Sequence, residues 1–519
     1  MKRRIPKAFR VLRIFAAGLV LTAAVFGVMS STQAAQKTAA FVSSLQLFPA
    51  TVRLLRAALK GAGAGALAAG AVTAALYLLS AVFGRWYCGV LCPLGTLQDM
   101  ASFPKGKRRV HARPVRLLRA GALVAVLALL IAGAAGAASV LDPWAIFSRT
   151  FTHGFRNLIR LLRNEDLPGF HWATALASAA AFTAVIAASF FSGRWFCGNL
   201  CPVGSVLGAL NAGAPLRVRY DKAACISCGA CSKVCRASCI NVEEKRLDPT
   251  RCVNCLACLP VCPADALYYG RERRPAEKAA RIDKASSGKG FGLTRAQFIR
   301  ALVGGVMMFP LAALTRRYLP KGVRPDAALP VVPPGGRSID AFLSSCVACG
   351  LCISRCPSKV LQPAVGHYGL AGFMSPRLDY DVSYCQFDCT LCTEVCPSGA
   401  LERLGIERKH VTKIGDASLV RDKCVVFTNH TKCGACAEHC PTGAVRMVVG
   451  ETGLPEPVFT SSICIGCGAC HHACPVEPEK AITVSGLAAQ GISEKPSSTL
   501  FGDNSGDAPP ENEEEVFPF

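Results

Sequence analysis

Charged residues are scarce in this sequence, and acidic residues are the scarcer kind. Only 18% of its 519 residues are charged, and 34 are Asp or Glu against 58 Lys or Arg. No nucleotide-binding glycine loop and no catalytic triad can be recognised, which disfavours an enzyme with a substrate of its own. Because 51% of the residues are hydrophobic, the chain is more apolar than an ordinary soluble protein of this length. The composition therefore predicts a membrane part.

The net charge of +24 arises largely from basic residues that lie beside apolar segments. Examples are MKRRIPKAFRVLR at the N-terminus and KGKRRVHARPVRLLR at 105–119. Lys and Arg collect in this way in the cytoplasmic loops of membrane proteins. The positive-inside rule therefore explains the charge, and we expect no nucleic-acid partner.

Four apolar stretches have the length to cross a bilayer, which takes about 20 apolar residues. They lie near 14–32, 62–83, 120–141 and 172–192. The first follows a basic start, so a cleaved signal peptide is the alternative to the retained helix that we favour. The sequence predicts a multi-pass protein of the bacterial inner membrane, surrounded by membrane lipid.

Flanking charge predicts the orientation. Residues 1–13 carry six Lys and Arg and the loop 104–119 carries seven, whereas loops 33–61 and 142–171 carry four each. Both ends of the four-helix unit should therefore face the cytoplasm. The segments after the second and fourth helices, which carry paired cysteines, should lie at the cytoplasmic surface.

The paired cysteines belong to an internal repeat. GRWYCGVLCPLGTL at 84–97 returns as GRWFCGNLCPVGSVL at 193–207, so two related helix pairs are expected. Residues four apart share one face of a helix, and the Pro and Gly after each pair mark the end of that helix. The thiols could ligate a metal, form redox-active disulfides, pass electrons between quinone and clusters, or be small buried residues. They are Cys88, Cys92, Cys197 and Cys201.

Arg85 and Arg194 stand just before the paired cysteines in the two copies of the repeat. They are either interface anchors or groups that lower the thiol pKa values.

Two tight cysteine runs follow the membrane unit and have the spacing of a bacterial two-cluster ferredoxin. In such pairs the fourth cysteine of one run serves the cluster of the other. One predicted 4Fe-4S ligand set is Cys225, Cys228, Cys231 and Cys262, and the other is Cys252, Cys255, Cys258 and Cys235. Arg236 replaces the usual proline after the first run, and Cys239 is either an alternative ligand or a spare small residue.

The C-terminal half contains four more runs of four cysteines, and the fourth cysteine of each run precedes a proline. The runs are Cys346/Cys349/Cys352/Cys356, Cys385/Cys389/Cys392/Cys396, Cys424/Cys433/Cys436/Cys440 and Cys464/Cys467/Cys470/Cys474. Together the six runs predict six 4Fe-4S clusters and use 24 of the 29 cysteines. Spacing does not show which C-terminal runs pair. CGACH at 467–471 also fits covalent haem attachment, but those cysteines are needed for a cluster.

The expected fold class is a membrane α-helical unit joined to α+β domains of the bacterial-ferredoxin type. A basic connector leads to a predicted fifth membrane helix near 298–315, which is short and contains Pro310. If it spans, the C-terminal half lies outside the cytoplasm. The predicted parts are 1–215 (membrane unit), 216–270 (two clusters, cytoplasmic), 271–335 (linker and fifth helix), 336–485 (four clusters) and 486–519 (disordered acidic tail).

The repeated motifs on a four-helix unit, followed by a two-cluster segment, resemble the NapH/MauN family of membrane polyferredoxins over residues 1–270. Residues 291–485, which include CVACGLCISRCPSKVLQPA, are similar to NapG-type four-cluster proteins. The resemblance implies that the chain oxidises menaquinol from the quinone pool, that the paired cysteines are its redox thiols, and that a periplasmic redox partner takes the electrons. The export motif of NapG-type proteins has two arginines, but Thr294–Ile299 has only Arg295, which weakens the periplasmic placement.

The leading hypothesis is electron transfer from quinol through the clusters to a reductase or cytochrome. The alternative is an assembly or regulatory factor that supplies electrons to mature another metalloenzyme. His153, His171 and Asp142, in the predicted outer loop, either lie near a quinol or are solvated loop residues.

Overall fold

The computed structural model describes residues 7–30, 32–60, 64–102, 115–164, 171–271, 329–369, 371–450 and 453–494. We divide them into a helical unit (residues 7–213), a first cysteine-rich unit (217–270) and a second cysteine-rich unit (329–494). The predicted fifth membrane helix near 298–315 lies outside the described residues.

The helical unit consists of long helices joined by short ones, with a 3₁₀ turn at Ser139–Leu141 and a π-helical turn at Thr150–Phe155. Its helices are α1 (Lys7–Met29), α2 (Gln33–Ser44), α3 (Leu47–Lys60), α4 (Ala64–Phe83), α5 (Tyr87–Val90), α6 (Pro93–Ala101), α7 (Arg116–Ile131), α8 (Ala135–Ala138), α9 (Pro143–Arg149), α10 (Arg156–Leu162), α11 (Trp172–Ser192), α12 (Trp195–Asn199) and α13 (Pro202–Gly213).

Within the described residues, two helices are long and apolar enough to cross a membrane, Val11–Met29 of α1 and all of α11. Helices α2 and α3 form a pair bent by 70° that would add at most one more span. The prediction of four spanning helices is therefore not supported, although a helix lies at each of the four positions. Helix α7 is short because Gly133, with φ of +79°, ends it inside the predicted stretch 120–141. The stretch 33–61, expected as a loop, is largely helical.

One hydrophobic core joins the helical unit to both cysteine-rich units. It contains Leu94 and Leu207 from the two copies of the repeat, which are fully buried. Val253 of the first cysteine-rich unit and Val347 of the second belong to the same core. The three units are thus packed together through buried side chains.

The two cysteine-rich units dock at opposite ends of α1. A Cβ added at Gly89 would lie 2.8 Å from Arg13 Nη1 and 3.9 Å from the carbonyl oxygen of Val253, which places the first unit near the start of α1. Arg355 of the second unit donates to the carbonyl oxygen of Ser30 at 2.5 Å, just beyond the end of α1. At 1.5 Å per residue, Arg13 and Ser30 are separated by about 25 Å along the helix.

Both cysteine-rich units are built from short helices and two-stranded antiparallel sheets. In the first unit β1 (Arg217–Tyr220) pairs with β4 (Leu267–Gly270), β2 (Ile240–Asn241) pairs with β3 (Arg246–Leu247), and α14 is Ala230–Lys233. In the second unit the strand pairs are β5 (Leu361–Pro363) with β6 (Pro376–Leu378), β7 (Thr412–Leu419) with β10 (Ile482–Ile492), and β8 (Val445–Val449) with β9 (Pro455–Phe459). Its helices are α15 (Ile339–Leu343), α16 (Leu351–Arg355), α17 (Leu391–Glu394), α18 (Ile406–His410), α19 (Val425–Thr428), α20 (Ala435–Glu438) and α21 (Ala469–Ala473).

Strand β10 ties the end of the second unit to its beginning. The amide of Gly486 donates to the carbonyl oxygen of Leu329 at 2.7 Å, and Gln490 Nε2 donates to the carbonyl oxygen of Pro333 at 2.8 Å. The predicted boundary between residues 485 and 486 therefore falls inside a strand. The expected disordered tail cannot begin before Ile492, since β10 continues to that residue.

We predict that Gly27→Ala destabilises the helical unit, because an added Cβ would lie 2.9 Å from the backbone nitrogen of Ala39 in α2. The expected loss is about 1–3 kcal/mol, measured by thermal or denaturant unfolding in detergent. Gly18→Ala in the same helix is the matched control, because a Cβ there meets no atom of the described residues within 4 Å. Equal stability of the two variants would contradict the close contact between α1 and α2.

Candidate functional site

The thiols of the first cysteine-rich unit surround two small cavities. One cavity is lined by Cys225, Cys228, Cys231 and Cys262, and the other by Cys235, Cys252, Cys255 and Cys258. These are the two sets that the crossed pattern of a two-cluster ferredoxin predicts. Cys239 also lines the second cavity, with its Sγ 3.5 Å from that of Cys235, so both interpretations of Cys239 stay open.

The first two runs of the second unit exchange their fourth cysteines in the same manner. One cavity is lined by Cys356 together with Cys385, Cys389 and Cys392. Cys396 in turn lies close enough to Cys346, Cys349 and Cys352 to interact with them electrostatically.

The last two runs also pair with each other. Cys436 interacts electrostatically with Cys424 and Cys433, and Cys474 belongs to the same buried cluster. Cys470 interacts with Cys464, Cys467 and Cys440. Adjacent runs of the C-terminal half therefore pair, which spacing alone did not show.

The loops around the cavities suit 4Fe-4S clusters. None of the 29 cysteines, all of which lie in the described residues, forms a disulfide. The residue two positions after the first cysteine of a run has positive φ in several cases, for example Ser227 at 58° and Ala348 at 44°. The amides of these residues donate to Cys225 Sγ at 3.3 Å and to Cys346 Sγ at 3.4 Å. Such N–H groups stabilise cluster sulfur and tune its reduction potential.

No three His, Cys, Asp or Glu side chains of the described residues converge tightly enough to hold a single metal ion. The cysteine groups are instead spread around cavities. A four-iron cluster holds its ligands farther apart than one ion does, so this spread agrees with clusters and disagrees with single zinc or iron ions.

The paired cysteines of the repeat form a separate group, which we call the four-thiol centre: Cys88, Cys92, Cys197 and Cys201. All four are buried, and Cys92 and Cys201 each interact electrostatically with Cys88 and Cys197. The expectation that each pair shares one helix is wrong. Cys88 and Cys197 lie in α5 and α12, whereas Cys92 and Cys201 are the N-caps of α6 and α13.

Proline explains this arrangement. Pro93 and Pro202 cannot continue a helix that needs their N–H, but proline suits the first position of a new one. Each proline therefore begins a helix after the pair of cysteines and does not end the helix before it.

Arg85 and Arg194 connect the two copies of the repeat through crossed hydrogen bonds. Arg85 Nη2 donates to the carbonyl oxygen of Cys197 at 3.0 Å, and Arg194 Nη1 donates to that of Cys88 at 2.6 Å. Both guanidinium groups are buried. Their symmetry supports a pseudo-twofold relation between the repeats and identifies the arginines as anchors.

Glycines make room for these contacts. A Cβ at Gly95 would lie 2.4 Å from the carbonyl oxygen of Cys88, and one at Gly204 would lie 2.2 Å from that of Cys197. The glycine two residues after each Cys-Pro thus allows its helix to approach the backbone of the first cysteine of the pair.

Asp99 was not identified from the sequence. Its carboxylate binds Arg194 at 2.6 Å and Arg236 of the first cysteine-rich unit at 2.7 Å. Burial alone would raise the pKa of Asp99, but the two guanidinium groups outweigh it and hold the pKa below its usual value. The sequence did carry a signal for Asp99. The two repeats differ at this position, because the residue that corresponds to Asp99 in the second repeat is Gly208.

The arginines do not activate the bare thiols. Burial raises the pKa of Cys197 more than Arg194 lowers it, and burial also raises the pKa of Cys92 and Cys201. The arginines therefore do lower the pKa of Cys197, the second of the two alternatives, but burial outweighs them. Four buried thiols beside two guanidinium groups could hold a metal cluster, whose binding deprotonates its thiols.

The residues of the predicted outer loop are not simply solvated. Asp142 is buried and caps α9 by accepting from the amide of Ala145 at 2.9 Å. His153 is buried in the π-helical turn, where it faces Gly350 of the second cysteine-rich unit. His171 is partly buried at the start of α11.

Comparisons with known proteins agree with the cysteine geometry. A 4Fe-4S binding domain profile matches residues 66–111 and again 174–219, which supports the internal repeat. A second 4Fe-4S binding domain profile matches 245–268. Two 4Fe-4S dicluster domain profiles match 345–401 and 430–477. Several 4Fe-4S domains are therefore present, as predicted.

The chain is 31% identical over 188 residues to the methylamine utilization ferredoxin-type protein MauM of Paracoccus denitrificans, which covers 34% of this chain and 76% of MauM. The chain belongs to the ferredoxin-type proteins. It is an iron-sulfur electron-transfer protein related to the Nap and Mau proteins.

Other relatives of this ferredoxin-type protein come from Escherichia coli. It is 33% identical to the ferredoxin-type protein NapG over 154 residues, which covers 28% of this chain and 66% of NapG. It is 27% identical to the ferredoxin-type protein NapF over 162 residues, which covers 31% of this chain and 90% of NapF. No solved structure matches the chain.

We predict that Asp99→Asn destabilises the protein by about 3–5 kcal/mol, because it leaves the buried Arg194 without its carboxylate. The measurement is denaturant unfolding of the purified protein in detergent. Glu479→Gln is the control, because Glu479 pairs with Lys423 at the surface and its loss should leave the stability close to that of the wild type. Similar effects of both substitutions would show that Asp99 does not hold the two units together.

Proposed function

We propose that this ferredoxin-type protein lies in the bacterial inner membrane, oxidises menaquinol and relays the electrons through six 4Fe-4S clusters to a redox partner protein. The observation that carries the proposal is the placement of two cysteine-rich units at opposite ends of one helical unit. A buried core that includes the four-thiol centre joins them. The chain would thus combine a membrane unit of the NapH/MauN type with a NapG-type unit.

The cluster ligands are the 24 cysteines of the six runs, grouped by the crossed pairing described above. When bound, 4Fe-4S clusters accept and donate single electrons. The chain encloses each group of thiols and supplies backbone N–H groups to the sulfur atoms.

Quinol oxidation releases two electrons and two protons. The two electrons reduce two 4Fe-4S clusters by one electron each, and the protons pass to solvent. The two apolar helices α1 and α11 support access to a lipid-soluble donor. In this proposal the four-thiol centre is a redox link in the core between the cysteine-rich units.

Docking at opposite ends of α1 supports opposite sides of the membrane for the two cysteine-rich units. The first unit lies beside the basic start of the chain, which favours the cytoplasmic side. The second unit would then lie on the periplasmic side, where a soluble partner could collect the electrons. Protease protection in sealed vesicles tests this placement independently of electron transfer.

We predict about 24 iron atoms per chain after anaerobic purification, as six 4Fe-4S clusters require. Cys239→Ser should keep this iron content if Cys239 is a spare residue, whereas Cys255→Ser should lower it by removing a ligand. Iron and acid-labile sulfide analysis gives the result. An iron loss in Cys239→Ser alone would make Cys239 the ligand, and about 28 iron atoms would add a cluster at the four-thiol centre.

We further predict that a reduced menaquinol analogue reduces the clusters of the anaerobic protein in detergent. Electron paramagnetic resonance follows the reduction, and dithionite provides the fully reduced reference. A Cys88→Ser/Cys197→Ser variant should lose rapid reduction by quinol only in the cysteine-rich unit that electrons reach through the four-thiol centre, and dithionite should still reduce both units. If quinol reduces neither protein while dithionite reduces both, quinol is not the donor and the assembly role gains support.

A further inference from the structure

A cleft lies where the helical unit meets the second cysteine-rich unit. It encloses about 640 Å³ of empty space, part of it open to solvent. Thr152, His153 and His171 line it from the helical unit, and Ile353, Cys356 and Leu361 line it from the second cysteine-rich unit. The space in it that a water-sized molecule can reach is about 80 Å³.

The imidazole of His153, which lines this cleft, has a buried, unsatisfied nitrogen that faces Gly350. Its side chain is 6% exposed, and its Nε2 has no hydrogen-bond partner among the described residues. A buried polar atom without a partner costs about 1–3 kcal/mol, which a bound hydroxyl group would recover. Burial lowers the pKa of His153 to about 4, with smaller contributions from Arg149 and His171, so the ring is neutral and one nitrogen can accept a hydrogen bond.

The cleft lies directly against a cysteine run. A Cβ added at Gly350, between Cys349 and Cys352, would lie 3.0 Å from His153 Nε2. Ser148 Oγ donates to the carbonyl oxygen of Cys349 at 2.7 Å and holds this loop on the helical unit. A molecule bound at His153 is therefore adjacent to thiols that we assign to a cluster.

Apolar surface connects the cleft with the expected lipid region. Helix α11, a candidate span, begins at Trp172 beside the cleft, and the Trp172 side chain is 64% exposed. Leu158 and Leu162 of α10 are also exposed. Amphipathic rings such as tryptophan favour the membrane surface. A ligand with a long apolar tail could thus enter from the bilayer with its polar head in the cleft.

The cleft walls are positively charged. Arg156 and Arg160 of α10 and Lys359 of the second unit line it. Cationic walls stabilise the anion that a quinol becomes when it loses its first proton. They would also attract a phosphate group. A phosphate, however, would not need a neutral buried imidazole next to a cysteine run.

We propose that this cleft binds the head group of a membrane quinol, with His153 Nε2 accepting a hydrogen bond from the quinol hydroxyl. This inference rests on the proposed function and gives its donor a site at the second cysteine-rich unit. The quinol therefore binds beside the second cysteine-rich unit and not at the four-thiol centre, for which exchange with quinone was one of the expected roles. His153 is a binding residue in this assignment.

The first test measures binding without turnover. The fluorescent quinol analogue heptyl-hydroxyquinoline N-oxide is titrated into the intact protein in detergent, and its quenching gives the affinity. His153→Leu should weaken binding about tenfold or more, since it removes the hydrogen-bond acceptor. His153→Gln should recover part of the affinity because its side-chain oxygen can accept. His439→Ala, at an exposed histidine of the second unit, is the control and should bind like wild type.

A second variant protects the test against misfolding of His153→Leu. Ile353→Trp fills the cleft from the opposite wall without touching the histidine, and it should also abolish binding. Wild-type affinity in both variants would overturn the inference. Displacement of the analogue by inorganic phosphate would assign the cleft to an anion such as a lipid phosphate and would overturn it as well.

Reduction of the wild-type clusters by quinol separates this inference from the proposed function. If quinol reduces the wild type and the His153→Leu and Ile353→Trp variants equally fast, the cleft is not the quinol site, but the protein still oxidises quinol. If wild type is not reduced by quinol and does not bind the analogue, both fail.

Discussion

The arrangement of the whole chain depends on two buried guanidinium groups. Arg85 and Arg194 each reach across the pseudo-twofold axis to a cysteine backbone of the other repeat. A buried charge is costly unless it is paired and hydrogen-bonded; Arg194 is paired with Asp99, whereas Arg85 donates to the backbone carbonyl oxygens of Cys197 and Thr250. Because Asp99 also binds Arg236, the same network fixes the first cysteine-rich unit on the helices. The four-thiol centre exists where this network brings the two repeats together.

A large part of the cysteine chemistry could be predicted from spacing. Ligands of a cluster come from short loops, so local sequence shows the runs, and the crossed exchange follows from a pattern common to two-cluster ferredoxins. The pairing of the C-terminal runs could not be predicted, because it depends on which loops meet in space. Cys356 lines a cavity with Cys385 through contacts that spacing does not encode.

The helices were harder to predict in detail. Apolar composition located a helix at each of the first four expected positions, but Gly133 ends one of them early, and two helices of the described residues pass as spans by themselves. The Cys-Pro motif was misread because proline can end one helix or begin the next. Asp99 and the role of His153 were missed or left open, because both act through partners distant in sequence, Arg236 and Gly350.

Strand β10 affects how the protein can be made. The segment at 329–333 opens the second cysteine-rich unit, yet Leu329, Val332 and Pro333 accept hydrogen bonds from a strand more than 150 residues later. During translation this opening segment emerges from the ribosome well before the strand that holds it. Domains of this size fold as units, so the second unit closes only after β10 has been synthesised. Iron-sulfur cluster assembly on the newly made chain therefore has a long interval in which the cysteine loops are still accessible.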